Sequence, residues 1–214
     1  SDEPQLLEMA AHILTWLGAA YGLMYRQQIF SSLISLWGAR VLVAVSCAAI
    51  VLLSLAALNP IVTEDPVPGN VVFNALLMAY LAPVVLLDLI TRRFDALNWL
   101  QFRPAMGVLA LVLAMTYVTL ETKRVFQGPA MVAWSLSDGE SYAYSAVWLV
   151  SALALFGAGI KLSRQYIRYA GLAVMVLVVL KVFLWDMSGL EGLFRIFSFI
   201  GLGLCLVGIG WLYQ

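Results

Sequence analysis

The sequence predicts an all-α polytopic membrane bundle of about seven transmembrane helices, and three observations carry the prediction. Of 214 residues, 63% are hydrophobic and only 11% charged, with a mean hydropathy of +0.95, far from soluble domains, in which about a quarter of residues are charged. Apolar runs of about 20 residues recur along the chain, the length a helix needs to cross about 30 Å of hydrocarbon. Such runs are twice as long as a barrel strand, and backbone groups in lipid must be satisfied within their own segment, which selects helices.

The runs cover residues 6–25, 39–58, 71–91, 104–122, 142–162, 167–186 and 193–213, and are read as one transmembrane domain over 1–214. Turn-forming residues separate them: Asn59-Pro60 with Pro66 and Pro68 after the second, Arg92-Arg93 after the third, Gly128-Pro129 and Asp138-Gly139 after the fourth. Trp134, Trp148, Trp185 and Tyr142 stand at predicted span ends, as interfacial aromatics do. The connection 123–141 carries an amphipathic patch, Met131 to Leu136, expected to lie in the interface. Gly18 and Gly22 on span 1, and Ser198, Gly201, Cys205 and Gly208 on span 7, have the spacing of close-packing faces.

Charge gives orientation. Loops after spans 1, 3 and 5 hold Arg26, Arg40, Arg92, Arg93, Arg103, Lys161, Arg164 and Arg168; the opposite side holds Lys123, Arg124, Lys181 and Arg195 with ten of the twelve acids. The positive-inside rule then puts the N-terminus outside and the C-terminus inside. Asp88 is expected to pair with Arg92 one turn on. Zero formal net charge indicates no nucleic-acid partner, and Cys47 and Cys205, both in apolar runs, indicate neither a disulfide nor a metal site. The opening SDEPQLLEM lacks a signal-peptide pattern and an initiating Met, so the chain is expected to be part of a longer protein and its helices part of a larger bundle.

The candidate site comes from ionisable residues at the acid-rich end. Lys181 and Asp186 lie at the outer end of span 6, and Glu191 and Arg195 at the turn into span 7. Tyr117, Glu121 and Arg124, spaced i, i+4, i+7, share one face of span 4; Asp138 and Glu140 precede span 5. Ionisable groups below the headgroups are costly to insert and face bundle interiors or wet cavities, so their common depth suggests a polar pocket open to the outside. Lys181 and Arg195 would attract an anionic group there, with Asp186 and Glu121 holding them. His12, the one histidine, sits four residues after Glu8 and is the candidate general base, with Glu121 as a second. The motifs HExxH, CxxC, GxSxG and GxxxxGK[ST] do not occur, and no metal or cofactor is implied.

The C-terminal third adds a resemblance. Glu140-Ser141-Tyr142 with Ser145, "RYAGLA" at 168–173, "LKVFLWDMSGL" at 180–190 and "RIFSFIGLG" at 195–203, with "YVTLETKRVFQG" at 117–128, resemble the end of a bacterial family of multi-spanning membrane proteins, domain-of-unknown-function family 2339. The resemblance implies a longer protein of many spans and supplies no activity. Three functions stay open: a cytoplasmic-membrane carrier or binding component for a small polar or lipid-linked envelope molecule; an intramembrane transferase or hydrolase at the outer leaflet; and a scaffold whose charges only pair. The lipid bilayer and further helices of the same protein are the expected partners.

Overall fold

The computed structural model describes residues 5–67, 69, 74–129, 131–132, 137–186, 200–201, 203–204, 207–208 and 210–211. Among them structure is helical, with one isolated antiparallel bridge between Gly69 and Asn74. Five helical stretches are long and apolar enough to cross a membrane: Gln5–Ile29, Leu33–Thr63, Leu100–Gln127, Gly139–Lys161 and Gln165–Trp185. A sixth, Leu77–Thr91, is apolar but shorter. Within the seventh predicted span, residues 200–201, 203–204, 207–208 and 210–211 are covered, and the rest lies outside the described residues.

The chain forms two compact units, Ser1–Ser135 and Leu136–Gln214. In the first, α1 (Gln5–Ile29) turns at Ser31-Ser32, where the Gln27 Oε1 accepts from the Ser32 N–H at 3.1 Å, into α2 (Leu33–Ala49). That helix loosens into a π-helical segment over Ile50–Ala57. Asn59 then caps α3 (Pro60–Thr63): its Oδ1 accepts from the Ile61 N–H at 3.1 Å, and Pro60 occupies a first-turn position where its missing N–H costs nothing. Left-handed Glu64, φ 57°, ends α3.

A second π-helical segment, Leu77–Leu81, runs into α4 (Ala82–Thr91) just before Pro83. Proline removes an i→i−4 bond and crowds the carbonyl one turn back, and the wider turn relieves that clash. Short 3₁₀ turns at Phe94–Leu97 and Leu100–Phe102 lead to α5 (Arg103–Gln127), which stops at Gly128, φ 84°.

The buried stripe of α1, Ala10, Ile13, Leu17, Ala20 and Met24, recurs at helical spacing. It packs between α2 and α4, and α5 packs on α4. Tyr80 is wholly buried and donates its hydroxyl to the Ser54 carbonyl at 2.6 Å, linking the two π-helical segments. Met131, expected in the interface, is instead buried with this core, and residues 133–136 of its patch lie outside the described residues.

The second unit is a hairpin of α6 (Asp138–Lys161) and α7 (Gln165–Lys181), continued by a π-helical Val182–Asp186. A turn with left-handed Ser163 reverses the chain. Close approach occurs at glycines: a Cβ on Gly171 would lie 2.7 Å from the Phe156 nitrogen, and one on Gly159 2.6 Å from the Arg168 nitrogen. Among the described residues no such approach occurs at the glycine pair on span 1, which leaves that face to the further helices expected of a larger bundle. Gly18 and Gly22 lie on the exposed side of α1, where an added Cβ would meet nothing within 4 Å among the described residues.

Candidate functional site

The arginine-rich end of the first unit is built on planar contacts. Arg40 donates to the Leu97 carbonyl from Nε (3.2 Å) and Nη2 (2.7 Å) and lies over the rings of Trp37 and Trp99. Arg93 lies over Tyr21 and Tyr25 and donates to Gln28. Arg103 donates to the Thr91 carbonyl at 3.2 Å and to Asp95 at 3.3 Å. The expected Asp88–Arg92 pair is present, with Nε to Oδ2 at 2.9 Å.

The opposite end carries Glu121. Asn74 caps the next helix, its Oδ1 accepting from the Leu77 N–H at 3.0 Å, and this turns its Nδ2 toward α5, where it donates to Glu121 Oε1. The other carboxylate oxygen, Oε2, is buried and has no hydrogen-bond partner among the described residues. Arg124, one turn on, donates from Nη2 to the Val67 carbonyl at 3.3 Å and to the Gly69 carbonyl. The Val67 N–H in turn donates to the Pro129 carbonyl at 3.0 Å, which closes the loop over the end of α5. Glu121 and Arg124, which share one face of span 4, thus each bond to the segment before α4: Glu121 to Asn74, Arg124 to Val67 and Gly69. Tyr117 is half-buried against the core one turn below Glu121. A shallow recess at this end is lined by Gln5, Leu58, Pro60, Thr63, Asp65 and Val67 among others, and Tyr117, Glu121 and Arg124 are not part of its wall.

In the second unit Ser137 caps α6 by accepting from the Glu140 N–H at 3.2 Å, which places buried Glu140 in the first turn. Tyr144, four residues on, donates its hydroxyl to Glu140 Oε1 at 2.6 Å. Lys181 reaches across from α7: its Nζ lies 2.7 Å from the Ser141 carbonyl, 3.1 Å from Ser141 Oγ and 2.7 Å from Ser145 Oγ. By these contacts the ammonium of Lys181 ties α7 to the first turns of α6. The side chains of Asp138 and Asp186, and all of Glu191 and Arg195, lie outside the described residues.

His12 stands on the exposed side of α1. Its Nε2 is 3.9 Å from Glu8 Oε1, with both side chains exposed, and its ring stacks beside Trp16 at 6.0 Å between centroids. Among the described residues no three His, Cys, Asp or Glu side chains come together as a metal site would need. Sequence reasoning passed over Asn74, although an amide inside the apolar run 71–91 is the signal that could have found it. It also gave no site role to Tyr144 or to Lys123, which is buried near the end of α5.

Long apolar helices in short-looped succession, with arginine gathered at one end of the first unit, define a multi-pass α-helical membrane protein. The chain belongs to the family described as "Predicted membrane protein (DUF2339)", whose sequence profile matches residues 1–214 and so extends the resemblance of the C-terminal third over the whole chain. No curated protein and no solved structure gives a significant match.

Proposed function

We propose that the protein is a component of a bacterial cytoplasmic membrane, N-terminus outside and C-terminus inside, that binds a small polar or lipid-linked envelope molecule at its extracytoplasmic end, with Glu121 at the seat. The observation that supports this reading is the Glu121 carboxylate: one oxygen is engaged by Asn74, and the other is buried without a partner among the described residues. A buried acceptor left unmatched costs on the order of 1–3 kcal/mol, more when charged, and a donor group on a ligand would recover it. Arg124 fixes the loop over that position by its bonds to Val67 and Gly69. In the second unit the contacts of Lys181 favour a packing role, so Glu121, rather than Lys181, is the residue that carries binding.

The test replaces Glu121 with Ala or Gln, and Asn74 with Ala, in the full-length protein, and scores folded yield in detergent beside an envelope phenotype in cells. Normal yield of Glu121→Ala with loss of the phenotype supports a working site. Parallel loss of yield and phenotype would make Glu121 a structural residue and end this reading.

A further inference from the structure

The turn between α1 and α2 has the wrong surface for water. Phe30, Leu33 and Ile34 are 66%, 73% and 85% exposed, and Ile29 and Trp37 beside them are also exposed. Patches of this kind mark an interaction surface.

Helix geometry says what covers it. The 25 residues of α1 rise about 37 Å, more than the roughly 30 Å of hydrocarbon to be crossed. From Glu8 to Arg26 the rise is about 27 Å, so these two charges mark the hydrocarbon boundaries. Ile29 to Ile34 then fall in the headgroup layer beyond Arg26. In that layer their apolar surface leaves water, while guanidiniums beside them meet phosphates in a bidentate way. Arg26 is exposed, and its side chain makes no hydrogen bond or ion pair among the described residues. Arg93, from the end of α4, is held over Tyr21 and Tyr25, the latter adjoining Arg26 in sequence. Five arginines of the first unit lie at this end against two acids, Asp88 and Asp95, each already engaged by Arg92 or Arg103.

We propose that the α1–α2 turn, with Arg26 and Arg93, is a binding site for the phosphate headgroups of anionic phospholipid, seated in the headgroup layer by Phe30, Leu33 and Ile34. The site is at the opposite end of the first unit from Glu121 and is independent of what Glu121 binds.

The test is native mass spectrometry of the full chain released from micelles holding equal amounts of phosphatidylglycerol and phosphatidylcholine. The expected result is preferential retention of phosphatidylglycerol, reduced about fivefold by Arg26→Gln and further by Arg26→Gln with Arg93→Gln, on the scale of an interfacial basic residue. Arg26→Lys, which keeps the charge but loses the bidentate fork, should keep only part of the preference, and Arg164→Gln in the second unit should leave it unchanged. Because the Arg26 side chain is exposed and makes no hydrogen bond or ion pair among the described residues, Arg26→Gln is expected to fold as the parent does, and all variants are checked by circular dichroism. Equal retention of the two lipids by the parent, an unchanged preference in Arg26→Gln, or a doubled mass without lipid selection, which would assign the patch to a second copy, each overturns the proposal.

Discussion

Gly171 offers the sharpest test of how the second unit is packed. An alanine Cβ there would stand 2.7 Å from the Phe156 nitrogen, 2.9 Å from the Ala152 carbonyl oxygen and 3.0 Å from the Phe156 Cα. All three are backbone atoms, so no rotamer change makes room. To restore ordinary contact near 3.4 Å, α6 and α7 must separate by roughly 0.7 Å, and overpacking of this kind costs about 1–3 kcal/mol. Alanine is the better helix former by about 1 kcal/mol, which opposes the loss and leaves a net destabilisation of up to about 2 kcal/mol for Gly171→Ala. Gly157 on α6 is the internal control, since a Cβ there meets nothing within 4 Å, and Gly157→Ala should be neutral or stabilising. Unfolding of the full chain in mixed micelles, followed by circular dichroism against rising dodecyl sulfate, measures both. Equal stability of the two variants would refute the close helix contact.

The remaining predictions concern the first unit. Tyr80→Phe removes the hydroxyl that donates to the Ser54 carbonyl at 2.6 Å in the buried core and should lower stability by about 1–2 kcal/mol in the same titration; no change would mean that this carbonyl has another partner. Arg40→Lys replaces a planar fork, seated on Trp37 and Trp99 and bonded twice to the Leu97 carbonyl, with a single point donor, and should cost about 1–2 kcal/mol. A lysine variant as stable as the parent would show that charge alone matters there.

Much of the fold could be read from composition and punctuation. Runs predicted at 6–25, 104–122, 142–162 and 167–186 correspond to Gln5–Ile29, Arg103–Gln127, Asp138–Lys161 and Gln165–Lys181 with its π-helical extension. The helices outrun the prediction at their polar ends because a run of apolar residues measures hydrocarbon, whereas the backbone stays helical through "ETKRVFQ" until Gly128 breaks it. The π-helical segments were not legible, since an i→i+5 turn leaves no hydropathy signature; only Pro83 hints at one.

The glycine faces show the main limit. In lipid both sides of a helix are apolar, so small residues at Gly18 and Gly22 look like a packing face yet point outward, while the contacts use Gly159 and Gly171. For the candidate site, depth grouped the charges along each helix but could not assign partners. Glu121 meets Asn74 from an apolar run, and Lys181 meets two serines. Spacing names the residues that share a helix face, but partners on other helices depend on how the helices pack.

The reading depends on the Glu121 end facing the outside, and cysteine accessibility tests that directly. In a chain with Cys47→Ala and Cys205→Ala, a single cysteine is placed either at Asp65, in the exposed loop held by Arg124, or at Gln101, exposed at the arginine-rich end. A membrane-impermeant maleimide is then added to intact cells. The account predicts labelling of Asp65→Cys in intact cells and of Gln101→Cys only after lysis; the reverse pattern would contradict it.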